Sequence, residues 1–174
     1  MEAKLAKIKL LLLDVDGVLT DGRIIYDGQG NELKAFDVKD GHGLKMIQRA
    51  GIQVGIITGR SSEVVRRRAD ELGIEILYQG ALRKLDPYRE ILEQHSLRDE
   101  QVAYVGDDIV DLPILQRVGF SATVADAVPD VLPRVDFVTS RVGGRGAVRE
   151  ICDLLLRASG SWDELTARYF NPED

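Results

Sequence analysis

Short, nearly unbroken apolar runs alternate along this chain with longer stretches whose apolar residues recur every three or four positions. Residues 8–13 form the first run, too short for a helix and followed by acidic and glycine residues, which predicts a buried strand. Residues 52–57, 74–78 and 101–105 repeat that pattern, and weaker versions lie at 121–124 and 136–139. Between them, residues 41–50 carry Leu44, Ile47 and Ala50 at helical spacing and stop at Gly51. A second helix, with Ser61 as its cap, presents Val64, Val65, Ala69 and Leu72 on one face and stops at Gly73. Further helices are predicted over about 86–95, with Pro87 in the first turn, through Ile114, Leu115 and Val118, and over 146–158. Strands alternating with helices in this way predict an α/β fold, a Rossmann-like, doubly wound and mostly parallel sheet. Such sheets bind ligands outside the carboxyl ends of their strands.

One interruption breaks the alternation. Residues 23–26 and 32–36 read as short strands on either side of Asp27-Gly28-Gln29-Gly30-Asn31, a turn composition, and so predict a β-hairpin inside the first strand-to-helix connection. A lone two-stranded hairpin is marginal in water. It is therefore expected to pack on another subunit or to cover a site at the strand ends, with Asp21 and Gly22 as the hinge that launches it.

With 174 residues, 44% of them hydrophobic, the chain can bury a core without staples, and residues 1–160 are expected to form a single domain. Residues 161–174 make a tail whose Trp162, Leu165, Tyr169 and Phe170 form an apolar stripe, expected to dock on its own body or on a neighbour. The net charge of −6 argues against a nucleic-acid partner; the one basic run, Arg66-Arg67-Arg68, would point three ways on a helix. No stretch approaches the ~18 apolar residues of a membrane span, and no signal-peptide core is evident, so no membrane partner and a cytoplasmic location are expected. Cys152 is the single cysteine, which excludes an internal disulfide, and it falls on the apolar face of the last helix as a core thiol.

The candidate chemistry lies where the strands end. Asp14 and Asp16 follow the first strand, Thr58 and Arg60 the second, Lys84 the third, and Asp107, Asp108 and Asp111 the fourth. Each alone has an ordinary reading: a capped strand-end turn for the first pair, a turn hydroxyl for Thr58, a surface lysine for Lys84, an N-cap cluster for Asp107 and Asp108. Together they make a phosphoryl-transfer set. Carboxylates from two loops can hold Mg2+, which takes oxygen ligands. A hydroxyl and an ammonium can neutralise the phosphoryl oxygens, and a carboxylate can attack phosphorus. Asp16, two residues beyond Asp14 on an extended chain, points away from it and suits proton transfer to a leaving oxygen. A Ca2+ loop of EF-hand type is excluded by a glycine that comes too early and by the missing Glu at its twelfth position. A P-loop is excluded because the Gly-x-x-x-x-Gly-Lys-[Ser/Thr] pattern does not occur. A receiver-type signalling domain lacks an equivalent of Asp16.

Five stretches carry a family resemblance: Asp14-Val15-Asp16-Gly17-Val18-Leu19-Thr20-Asp21-Gly22, Asp37-Val38-Lys39-Asp40-Gly41, Ile57-Thr58-Gly59-Arg60, Gly106-Asp107-Asp108-Ile109-Val110-Asp111, and Gly143-Gly144-Arg145-Gly146-Ala147-Val148-Arg149-Glu150. In this order they resemble the haloacid dehalogenase superfamily over nearly the whole chain, most closely its small capless branch of sugar-acid phosphatases. The resemblance implies Asp14 as nucleophile and Asp16 as general acid and base. It implies Mg2+ held by Asp14, the Asp16 carbonyl and Asp107, with Asp108 and Asp111 nearby. Thr58 and Lys84 would bind the phosphoryl group. Asp16, Asp37, Val38, Lys39, Asp40, Gly41, Lys45, Arg60, Arg68 and Lys84 would bind the sugar phosphate. Lys45 stands where relatives are expected to carry Arg, which exchanges a bidentate contact to the sugar acid for a point charge. The implied reaction is hydrolysis of an eight-carbon sugar acid phosphate through an aspartyl-phosphate, in lipopolysaccharide precursor synthesis. The alternatives are a nine-carbon sugar acid substrate or a catalytically idle, tetramerising relative. The implied assembly is a homotetramer joined through the hairpins, with a neighbour's tail closing each site.

Overall fold

In the computed structural model, residues 1–170 are described. The helix α1 (Glu2–Leu5) leads into β1 (Leu10–Leu13), and a hairpin of β2 (Ile25–Tyr26) and β3 (Glu32–Leu33) follows. Then come α2 (Val38–Arg49), β4 (Gln53–Ile57), α3 (Glu63–Leu72), β5 (Ile76–Tyr78), α4 (Leu85–Gln94) and β6 (Val102–Val105). The chain closes with α5 (Leu112–Leu115), β7 (Phe120–Thr123), β8 (Phe137–Val138), α6 (Ala147–Ala158) and α7 (Trp162–Phe170).

Six strands form one parallel sheet in the order β5-β4-β1-β6-β7-β8. The four leucines of β1 explain its central place. Leu11 and Leu13 face a core built with α2, α3 and α6, while Leu10 and Leu12 face a second core built with α4 and α5. All four are fully buried, and each contributes about 1.5–3 kcal/mol. Only a strand covered on both faces tolerates such a run, which is the signature of a parallel sheet between helical layers. The chain winds outward from β1 through β4 to β5, then crosses back to β6 and on to β7 and β8. The loops after β1 and β6 therefore diverge, and the crevice between them is the natural ligand position of this architecture.

The strand ends agree with the sequence reading to within a few residues, and the larger differences have identifiable causes. Helix α2 begins at Val38 rather than 41, because the Asp37 carboxylate caps it by accepting from the Lys39 amide at 2.6 Å. Gly41 and Gly43 are weak helix formers, but the burial of Leu44, Met46 and Ile47 outweighs them. The cap of α3 is Ser62, not Ser61, and the Ser62 hydroxyl donates to Glu32 of the hairpin instead of to its own helix. The hairpin strands have two residues each, closed by Asp27, whose carboxylate accepts from the Gln29 and Asn31 amides at 2.8 Å. In the tail, Trp162 and Leu165 pack against the core below α6, with the Arg157 guanidinium 4.1 Å from the Trp162 ring centroid. The edge of Tyr169 meets His42 of α2 at 6.0 Å between ring centroids. Residues 171–174, the end of the expected tail, lie outside the described residues.

Two glycines hold the loop after β1 against its neighbours. A methyl group on Gly17, where φ is +90°, would lie 2.0 Å from the Asp107 carboxylate, and one on Gly143 would lie 1.8 Å from the Gly17 carbonyl oxygen. The segment around Gly143 is thus a backbone buttress, reinforced by the Gly144 amide, which donates to the Val18 carbonyl at 2.9 Å. Gly143→Ala should lower Tm by roughly 2–12 °C, the shift that about 1–3 kcal/mol of overpacking produces in a chain of this size. Thermal unfolding followed by circular dichroism checks this, and an unchanged Tm would show that the buttress yields freely.

Candidate active site

Four strand ends deliver the polar groups. Asp14 is the first residue beyond β1, and its amide still donates to the Val105 carbonyl at 2.9 Å, so the nucleophile candidate stands on the sheet itself. Thr58 is the first residue beyond β4, fixed likewise by its amide to Tyr78 at 2.9 Å. Lys84 ends the loop after β5 and enters α4. Asp107 and Asp108 follow β6, and Asp111 closes a tight turn capped by Asp108. Asp14, Asp16, Gly22, Thr58, Arg60, Lys84, Asp107, Asp108 and Val110 line one cavity of about 370 Å³. A larger hollow along α3 and the outer edge of β5 contains none of the strand-end carboxylates.

Asp111 is the anchor of the cluster. One of its oxygens accepts from Lys84 Nζ at 2.7 Å and from the Tyr104 hydroxyl at 2.6 Å. The other accepts from the amides of Asp107 and Asp108 at 3.1 and 3.3 Å. Four donors commit this carboxylate fully, and it is wholly buried. Lys84 Nζ also lies 2.8 Å from Asp14 Oδ2, while Asp14 Oδ1 accepts from the Val15 amide at 2.7 Å.

One ammonium therefore serves two carboxylates, with a third close by. Burial is the strongest influence on Lys84 and would lower its pKa, but the charges of Asp111 and Asp14 together outweigh it and raise it. Asp14 is pushed up to about 6, by burial first and by the Asp111 charge second, against the opposing pull of Lys84. Asp107 is pushed up to about 7, again by burial and then by the charges of Asp14, Asp111 and Asp108. A simple ion pair would have lowered the acid while raising the base. Here both partners rise, because burial and the Asp111 charge outweigh the lysine's pull on Asp14, while two carboxylates act on the lysine.

Ligand atoms of Asp14, Asp107 and Asp111 lie within 4.8 Å of one another. Three carboxylates against one ammonium leave two negative charges in a buried pocket, which a divalent cation with a preference for oxygen would neutralise. Since Asp111 is spent on its four donors, the carboxylates of Asp14 and Asp107 are the members of this group left to hold Mg2+.

The structure brings Asp14, Asp16, Thr58, Arg60, Lys84 and Asp107 together in one cavity, as the sequence reading expected. It does not bring the rest of the expected sugar-binding set there. Asp40 lies elsewhere: it is buried and accepts from the amides of Arg149 at 2.7 Å and Gly146 at 3.3 Å, tying α2 to the start of α6. Gly41 is buried against the Arg68 guanidinium, and Lys45 rests its ammonium beside Gly73, at the carboxyl end of α3 and remote from the cavity. The Lys45 side chain therefore meets a helix C-terminus, where a cation is favourable. Asp37 is spent on its cap, Val38 and Lys39 are exposed, and Arg68 packs over the Phe36 ring at 5.7 Å.

Three participants escaped the sequence reading. Tyr104 looked like part of an apolar strand. Glu32 and Lys34 looked like the polar side of a hairpin, yet they face inward: Lys34 Nζ pairs with Asp16 Oδ1, and Glu32 accepts from Arg60 at 2.7 Å. The readable signal was the alternation over residues 32–36, in which Glu32, Lys34 and Phe36 share one face.

A family model described as haloacid dehalogenase-like hydrolase matches residues 31–119. The 3-deoxy-D-manno-octulosonate 8-phosphate phosphatase of Escherichia coli strain K12 is 52% identical over 162 residues, covering 93% of this chain and 86% of that protein. The crystal structure of the phosphatase of that name from Yersinia pestis is 49% identical, with a TM-score of 0.91, and covers 92% of this chain and 86% of that one. The Moraxella catarrhalis structure, solved in complex with magnesium, phosphate and 3-deoxy-D-manno-octulosonate (KDO), is 42% identical, with a TM-score of 0.94 and 97% of each chain covered.

Protons and metal compete for Asp14 and Asp107, so Mg2+ binding should release protons and tighten as pH rises through 6 to 7. Titration calorimetry in two buffers of different ionisation enthalpy measures the release. Asp107→Asn should weaken Mg2+ binding at least about tenfold and remove the part of that pH dependence that lies near 7.

Proposed function

The chain belongs to the haloacid dehalogenase-like hydrolases, and on that footing we propose that it hydrolyses 3-deoxy-D-manno-octulosonate 8-phosphate to KDO and phosphate. The observation that carries the reading is the Asp14–Lys84–Asp111 cluster at the head of β1, with Asp107 beside it, in a chain 52% identical to phosphatases of that name. The enzyme is a phosphomonoester hydrolase, and Mg2+ is its cofactor. Residues 1–160 make up the phosphatase domain and residues 161–174 a tail. It works without a membrane or nucleic acid, in the cytoplasm, supplying the sugar acid of lipopolysaccharide precursors.

The chemistry follows from the positions of the side chains. Asp14, fixed by the sheet and by the Val15 amide, is the carboxylate that would attack phosphorus. Bond formation from Asp14 to phosphorus breaks the bond from phosphorus to the sugar oxygen, which takes a proton from Asp16. Bound Mg2+ supplies charge compensation, letting a carboxylate approach an anionic phosphoryl group. Lys84 and the Thr58 hydroxyl bind the phosphoryl oxygens as the bonds exchange. In the second step Asp16 takes a proton from water, the water oxygen attacks the aspartyl-phosphate, and Asp14 is restored as phosphate leaves. One water is consumed and the two aspartates end as they began. Arg60, at the cavity mouth, faces the sugar acid.

The outer face of the hairpin supports a homotetramer. Ile25 and Leu33, directly opposed in the ladder on that face, are 39% and 51% exposed, an apolar surface that a folded monomer has little reason to keep. Asp37, Val38, Lys39 and Arg68 lie away from the cavity of their own chain, so in this reading they meet a sugar only across a subunit boundary.

Asp14→Asn should lose at least about 10^3-fold in turnover while retaining substrate binding by calorimetry. Substantial phosphate release from that variant would sink the covalent mechanism. Sedimentation velocity should give the mass of four 19.3 kDa chains, and Leu33→Asp should shift it toward smaller species.

A further inference from the structure

Lys34 occupies an unusual place for a lysine. Its side chain is 1% exposed although it belongs to a hairpin whose other face is open to solvent. Its ammonium pairs with Asp16 Oδ1 and lies 3.4 Å from Glu32 Oε1. Glu32 in turn is fixed by Arg60 Nη2 at 2.7 Å and by the Ser62 hydroxyl. The hairpin is thereby tied at one end to the turn after β4 and to the start of α3. A long flexible side chain has become a strut whose far end is set by two carboxylates.

Asp16 depends on that strut more than its neighbours depend on any one donor. Asp14 has a backbone amide and Lys84, and Asp111 has four donors. Among the described residues, the hydrogen bond that holds the Asp16 carboxylate comes from Lys34, and Arg60 Nε stands 3.9 Å from its other oxygen, too far for a second. Lys34 does not line the cavity, so it reaches the substrate only through Asp16.

We propose that Lys34 is a positioning residue for this reaction: it fixes the Asp16 carboxyl in the attitude from which the departing sugar oxygen receives its proton. The inference rests on the reading that Asp14 is the nucleophile and Asp16 the proton donor. The hairpin then completes the catalytic set of a chain that has no cap domain. Without the ammonium, Asp16 is a partly exposed side chain free to swing, and displacements of about 1 Å at a reacting group cost on the order of 10^2 in rate.

The test uses leaving groups that differ in their need for a proton. The sugar alkoxide needs one, whereas the phenolate of 4-nitrophenyl phosphate departs without it. The quantity is kcat/KM, from single-turnover rates where turnover is slow, because it reports phosphoryl transfer to Asp14 and not the later hydrolysis. Lys34→Met should lose at least about tenfold more on the sugar phosphate than on 4-nitrophenyl phosphate, and Lys34→Arg should recover part of that ratio. An equal loss on both substrates would overturn the proposal and leave Lys34 as a fold support. Lys34→Gln gives the same comparison should the methionine variant fail to fold. Asp16→Asn is the control: if it too shows no leaving-group dependence, the reading of Asp16 falls, whereas dependence in Asp16→Asn without dependence in the Lys34 variants sinks the Lys34 proposal alone.

Discussion

Too many carboxylates for one ammonium is the constraint on which the structure turns. Lys84 is shared by Asp14 and Asp111, and Asp107 has no lysine of its own. Burial makes this costly, because excess charge in a low-dielectric pocket is repulsive and Lys84 alone cannot offset it. The fold tolerates the cost by rigidity. Asp14 is continuous with the central strand, and Asp111 is pinned by Tyr104 from β6 and by two amides of its own turn. The site is thus destabilised toward binding positive charge and then an anion, and the raised proton affinities of Asp14 and Asp107 are the same fact expressed for protons.

That rigidity has to come from somewhere, and the sheet supplies it. A strand of four leucines covered on both faces cannot slide by one residue without exchanging its two cores, so the register of β1 against β4 and β6 is fixed by burial alone. Fixing that register fixes which residue follows the last leucine. The buttress from Gly143 then holds the turn after Asp14, and Gly17 lets that turn approach Asp107. Catalytic geometry at one end of the strand is therefore a consequence of packing along its whole length.

What was legible in the sequence follows the same division. Residues whose role is dictated by local pattern were readable: the apolar runs gave the strands, and acids, hydroxyl and lysine at successive strand ends gave Asp14, Thr58, Lys84 and Asp107. Residues whose role depends on long-range approach were not. Asp40 resembles a substrate ligand in its motif, but only the docking of α6, more than a hundred residues later, reveals that it caps that helix. Lys45 carries the charge that a sugar acid calls for, but the crossing of α2 with the end of α3 sets its ammonium beside Gly73. Tyr104 is indistinguishable from any strand aromatic until the turn carrying Asp111 folds beneath it.

The hairpin is the element in which both kinds of information meet. Its alternation, with Glu32, Lys34 and Phe36 inward and Leu33 outward, is a local pattern that any short amphipathic strand could show. Its consequence is not local, because the inward face finds Asp16 and Arg60 while the outward face is left apolar and open. A two-residue ladder cannot hold that position by its own hydrogen bonds. Charge pairs at the inner face supply orientation, and exposed ion pairs of this kind contribute little unless desolvated. Lys34 is desolvated, so losing its partner would strand a buried charge. The hairpin's place over the site and the attitude of Asp16 are for that reason a single equilibrium, set by the same ammonium.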